Sequence, residues 1–129
     1  MITRNPFKVL VVDDDSQFCE LMKRALTAGG SDVEVVQTGA GAEAKFVPPY
    51  DLVILDLKLP DRSGQEVLRH IRRFSPSLPV LIVSGCLSAP DNLDSNTFFS
   101  DKLSSIDDLA KFISSHIEKI KNSHTQASP

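Results

Sequence analysis

Tryptophan is absent from this chain, and tyrosine occurs once. Aromatic residues make up only 6% of it, so aliphatic side chains must build the core. Cysteine occurs twice, at Cys19 and Cys86, in no CxxC or Cys/His ligand spacing. That excludes a disulfide scaffold and a zinc site, and leaves two free thiols as the expectation. No stretch approaches the ~20 consecutive apolar residues of a membrane span. The apolar run before Asp13 is too short for a signal peptide and ends in acid. We therefore expect a cytoplasmic protein without membrane contact. An excess of positive charge is also missing, since the formal net charge is −3. Nothing in that balance points to direct nucleic-acid binding.

What the chain does have is alternation. Its 129 residues suit one domain. Phe7–Val12 is a continuous apolar run of buried-strand type. Phe18, Leu21, Met22, Ala25 and Leu26 follow at helical spacing, with Ser16 as the expected N-cap and Gly29-Gly30 as the stop. Val33, Val35 and Val36 mark a second strand. Residues 39–47 read as a short helix before Pro48-Pro49. Leu52–Leu55 is a third strand, and Pro60–Gly64 is turn chemistry. Val67, Leu68 and Ile71 give the next helix an inward face, Val80–Val83 a fourth strand, and Thr97-Phe98-Phe99 a short fifth. The last helix carries the stripe Ile106, Leu109, Ala110, Ile113, Ile117 and Ile120, with Ser105 and Asp108 set for a capping box. We divide the chain into a domain at 1–121 and a polar tail or linker stub at 122–129.

Continuous apolar strands alternating with helices predict a parallel sheet covered on both faces. Ligands of such sheets bind beyond the carboxyl ends of the strands. Asp13 and Asp14 follow the first strand, and Asp56 follows the third. Neighbouring strands would bring these carboxylates into one crevice, where each resists ionising beside the next. An all-oxygen ligand set of this kind suits Mg²⁺. Ser84 closes the fourth strand, and Asp101 and Lys102 follow the fifth. A metal ion and an ammonium together neutralise a phosphoryl group, and a carboxylate can attack phosphorus to form an acyl phosphate.

The run Val11-Val12-Asp13-Asp14-Asp15, the run Asp56-Leu57-Lys58-Leu59-Pro60-Asp61-Arg62-Ser63-Gly64, the pair Ser84-Gly85 and Lys102 stand in order on these elements. Together they resemble a response-regulator receiver domain, the phospho-acceptor module of two-component signalling, over about Lys8 to Lys121. The resemblance implies a flavodoxin-like, five-stranded parallel sheet in the order 2-1-3-4-5. It implies Asp56 as phosphoryl acceptor and Asp13, Asp14, Asp56 and the Lys58 backbone carbonyl as Mg²⁺ ligands. Ser84 and Lys102 would hold phosphoryl oxygens, with Ser84 and Phe99 as the switch pair. The implied donor is a histidine kinase or histidine phosphotransfer protein. The domain would assist its own phosphorylation and dephosphorylation without being a turnover enzyme. The cognate kinase, the output target and homodimer formation stay open.

Two departures stand out. Leu103 follows Lys102 where the family has proline, so we expect a trans bond there. The segment from Ser84 to Lys102 is short and rich in breakers, so we expect its fourth helix to be stunted or distorted. These departures keep a second reading open, a pseudo-receiver that acts as an interaction module without phosphate. Gly39-Ala40-Gly41-Ala42-Glu43-Ala44 matches a dinucleotide fingerprint and supports a third, weaker reading as a nucleotide-binding redox domain. A haloacid-dehalogenase-type phosphatase is weaker still, because Lys58 stands where its second aspartate would be. Arg62, Arg69, His70, Arg72 and Arg73 read as a solvated basic face. His70, His116 and His124 read as surface residues.

Overall fold

A computed structural model describes residues 6–46, 50–85, 93–102 and 105–126. The chain alternates β1 (Lys8–Val12), α1 (Ser16–Ala28), β2 (Asp32–Val36), α2 (Gly39–Lys45), β3 (Leu52–Leu55) and α3 (Gly64–Phe74). It continues through β4 (Val80–Ser84), β5 (Thr97–Asp101) and α4 (Ile106–Gln126). All five strands run parallel, in the order β2-β1-β3-β4-β5. This is the expected flavodoxin-like, doubly wound sheet, with helices on both faces.

The period-two geometry of the strands divides the core in two. Val9, Val11, Leu52, Ile54, Leu81 and Val83 face one way, onto Phe18, Met22 and Leu26 of α1 and Leu109, Ile113 and Ile117 of α4. Leu10, Val12, Val53, Leu55, Val80 and Ile82 face the other way, onto Ala42 of α2 and Val67 and Ile71 of α3. Both sheet faces are buried, which explains why the strands read as unbroken apolar runs.

The helix ends refine the expectations. Asp15, rather than Ser16, is the N-cap of α1, and its carboxylate accepts from the Gln17 and Phe18 N–H groups. A carboxylate is favoured there over a hydroxyl by the positive end of the helix. Gly29 caps the C-terminus, and Gly30 takes φ +98°, a conformation open to glycine. The Ser105 hydroxyl accepts from the Asp108 N–H at 3.2 Å, one half of the expected capping box. Two boundaries differ from expectation. Asp101 is the last residue of β5, in register with Ser84, rather than a residue beyond the strand. The last helix runs through 122–126, which polar composition alone marks as tail.

The basic face is only partly solvated. Arg72 bonds Asp94, Thr97 and the carbonyls of Ser75 and Leu78, so it clasps the end of α3 to the approach to β5. Arg62 is paired with Glu43. His70 and His116 are half-buried rather than exposed. His70 packs edge-on against Phe46, and His116 against Phe98.

Several expectations fall outside the described residues. They are the shortened fourth helix over 86–92, Cys86, the bond into Leu103, Pro48-Pro49, and the side chains of Ile106 and His124.

Candidate functional site

The sheet order places the ends of β1 and β3 side by side. Val12 is in register with Leu55, so the residues that follow both strands leave the sheet together. Asp13 and Asp56 are buried, while Asp14 is exposed at the mouth. One carboxylate oxygen from each of Asp13, Asp14 and Asp56 lies within 4.8 Å of the others. Octahedral Mg²⁺ holds its ligand oxygens roughly 3–4 Å apart. A small movement of these side chains would therefore close an all-oxygen cage, and the donor set fits the ion.

Lys102 reaches the crevice from the end of β5. Its Nζ donates to Asp13 Oδ2 at 2.7 Å and stands 3.9 Å from Asp56 Oδ2. The same ammonium lies over the Phe18 ring, 4.5 Å from its centroid. Its amide N–H donates to the Ser84 carbonyl at 2.9 Å, which ties the ends of β4 and β5. Ser84 is itself buried at the end of β4. Phe99 pairs in register with Ile82 on β5 and packs, half-buried, against the α2–α3 side of the core. Asp13, Asp14, Asp56, Ser84 and Lys102 therefore stand at the carboxyl edge of the sheet, with Asp13, Asp14, Asp56 and Lys102 in one cluster, while Phe99 lies mid-strand in β5.

The electrostatics follow from this crowding. Burial and the neighbouring Asp13 carboxylate push Asp56 up to about 6, against the opposing pull of Lys102 and the Lys58 N–H. That N–H lies 3.4 Å from Asp56 Oδ1. Burial works against the Lys102 charge, but its hydrogen bond to Asp13 wins and raises its affinity for the proton. Asp13 Oδ1 accepts from the Asp15 N–H at 2.9 Å, which fixes the second carboxylate oxygen. Cys19 donates from Sγ to the Asp13 carbonyl at 3.2 Å. Burial and the nearby Asp13 carboxylate push this thiol up to about 11, so it stays protonated.

Sequence reasoning missed Phe18 as a support for Lys102. Its helical spacing marked it as core and carried no sign of the ammonium above it. The dinucleotide fingerprint meets a different fate. Gly39 and Ala40 donate their N–H groups to the two Asp61 oxygens at 2.7 and 2.8 Å. Gly41 donates to Thr38 Oγ1 at 2.9 Å. The donors that would face a pyrophosphate are turned to the protein's own groups. Those two backbone bonds hold the Asp61 carboxyl below the usual range.

An open parallel α/β sheet with a carboxylate cluster and a lysine at its carboxyl edge defines a class of metal- and phosphoryl-handling modules. The model of the response regulator receiver domain family matches residues 9–95, and the chain belongs to that family. It is 39% identical over 99 residues to the transcriptional regulatory protein TrcR of Mycobacterium tuberculosis, covering 75% of this chain and 38% of that protein. The cell cycle response regulator CtrA of Brucella ovis is 34% identical over 95 residues, covering 73% and 41% respectively. The chain thus spans about two-fifths of the length of these relatives.

Among solved structures, a CheY-like receiver domain protein from Methanospirillum hungatei matches with TM-score 0.75 and 25% identity, over 92% of this chain and 99% of that one. The response regulator TrrA of Thermotoga maritima, solved in complex with Mg(2+)-BeF, matches with TM-score 0.73 and 29% identity, over 88% and 97%. The chain is a receiver domain of the response-regulator type, a signalling module whose standard role is phosphorylation-dependent. Among the described residues, no helix is long and apolar enough to cross a membrane.

Proposed function

We propose that Asp56 accepts a phosphoryl group in a Mg²⁺-dependent reaction. The observation that carries this reading is the meeting of Asp13, Asp14 and Asp56 within 4.8 Å, with the Lys102 ammonium 2.7 Å from Asp13. An Asp56 oxygen attacks the phosphorus of a phosphohistidine on a histidine kinase or phosphotransfer protein. The new P–O bond forms as the P–N bond breaks, and the departing imidazole takes up a proton. Asp13, Asp14, Asp56 and the Lys58 carbonyl would hold Mg²⁺, which offsets the negative charge gathered on carboxylates and phosphoryl oxygens. Lys102 exchanges its bond to Asp13 for one to a phosphoryl oxygen. The Ser84 hydroxyl donates to another, and Phe99 follows it inward, so a local charge repacks the β4–β5 side. The domain catalyses only its own phosphorylation and hydrolysis, works in the cytoplasm, and hands its state to an output partner.

Mass spectrometry after incubation with acetyl phosphate and Mg²⁺ tests this. The expected result is one added phosphoryl group in the wild type and none in Asp56→Asn. No addition to the wild type would overturn the reading in favour of a phosphorylation-independent interaction module. Equal addition to both proteins would overturn Asp56 as the acceptor.

A further inference from the structure

The loop that carries Asp56 and Lys58 is clasped at both ends. At its base, Lys58 and Ser63 form an antiparallel bridge, and the Gly64 N–H donates to the Leu57 carbonyl at 2.8 Å. At its tip, both Asp61 oxygens accept from the first N–H groups of α2. Arg62 beside it donates to Glu43 of α2 at 2.6 Å and reaches back to Asp61 at 3.3 Å. The other Glu43 oxygen faces His70 of α3 at 3.6 Å. Thus α2 grips the loop tip through charged groups.

This grip is more than a helix cap. Thr38 already caps α2 from within its own segment. Asp61 comes from 22 residues away and takes the remaining N–H groups. Its charge meets the positive end of α2, and bonds of this charge-assisted kind are short and directional. In turn, α2 is anchored by Ala42 in the core. Swinging the loop away from α2 means breaking both bonds at once. The Lys58 carbonyl is part of that same loop.

We propose that Asp61 is a positioning residue for the metal site, holding the loop so that the Lys58 carbonyl and Asp56 keep the spacing that Mg²⁺ requires. Arg62 supports it by pinning the same tip to Glu43. The inference deepens the reading of Asp56 as a Mg²⁺-assisted acceptor and rests on it. Groups that orient metal ligands from outside the coordination shell typically change metal affinity by 10–100-fold when removed. Asp61 acts through the backbone, so the low end of that range applies.

The test is a Mg²⁺ titration of the whole chain, followed by calorimetry and by the amide NMR signal of Lys58. Four proteins are compared: wild type, Asp61→Ala, Asp61→Asn and Arg72→Met. Asp61→Ala should weaken the Mg²⁺ dissociation constant about tenfold. Exchange of the Gly64 amide with solvent should speed up in the metal-free protein. Asp61→Asn keeps one acceptor oxygen and should recover part of the affinity. Arg72→Met loosens the α3–β5 clasp elsewhere and should lower the melting temperature while leaving Mg²⁺ affinity unchanged. Wild-type affinity in Asp61→Ala overturns the proposal. So does an equal loss in Arg72→Met, which would mark general loosening. A wild type that fails to bind Mg²⁺ overturns the underlying reading instead, and the inference falls with it.

Discussion

Replacing Asp56 with asparagine should stabilise the metal-free protein at neutral pH. In the folded chain this carboxyl is held at about 6 by burial and by Asp13, against an ordinary value of 3.8. The sign follows from proton binding. Between those two values the folded state holds the proton more tightly than the unfolded chain does. Stability therefore rises as pH falls through 6 and levels off below 3.8. Above 6 the ionised carboxylate strains the fold. A displacement of this size corresponds to roughly 3 kcal/mol at full strength. Solvent at the mouth screens part of it, so about 1–3 kcal/mol is expected. An asparagine side chain has almost the same shape as the aspartate it replaces and no charge to ionise.

Thermal unfolding in chelator should therefore place Asp56→Asn about 3–10 °C above the wild type at pH 8. The gap should shrink steadily toward pH 4. Adding Mg²⁺ should raise the wild type far more than the variant, because the ion balances the charge that the variant lacks. An asparagine variant that melts at or below the wild type at pH 8 would refute the argument. So would a gap that widens on acidification.

Two further outcomes follow from packing. A Cβ at Gly64 would press into the Asp56 carbonyl and approach Leu57 Cα at 2.7 Å, both backbone. Gly64→Ala should thus lose about 1–3 kcal/mol in urea unfolding and slow acetyl phosphate labelling of Asp56. Removing the Arg72 guanidinium leaves the Leu78 carbonyl and Thr97 hydroxyl without their donor, so Arg72→Met should lose about 1–3 kcal/mol by the same measurement.

The parts of the fold that were legible in the sequence are those set by local pattern. The strands declared themselves because both faces are buried, and Leu52–Leu55 needs no polar residue on either side. The acid cluster was legible because Asp13, Asp14 and Asp56 sit where strands stop, and the family motif supplied the order that brings them together. Contacts between distant segments left no such trace. Arg62 and Glu43 are 19 residues apart, and Arg72 and Asp94 are 22 apart. A basic cluster looks the same in sequence whether its partners are water or acids. The cap of α1 falls one residue earlier than expected because Asp15 reads in sequence as part of the acidic triplet. The end of α4 escapes composition because a helical turn can be as polar as a tail.

The lysine at the carboxyl edge also sets the charge balance of the cluster. With all groups ionised, three carboxylates gather around one ammonium, which leaves an imbalance of two negative charges. A sodium or potassium ion would cancel half of it and leave Asp56 still opposed by its neighbours. A doubly charged ion restores neutrality in one step. If the cluster holds a metal ion as proposed, this charge balance alone favours a divalent cation over the abundant monovalent ones.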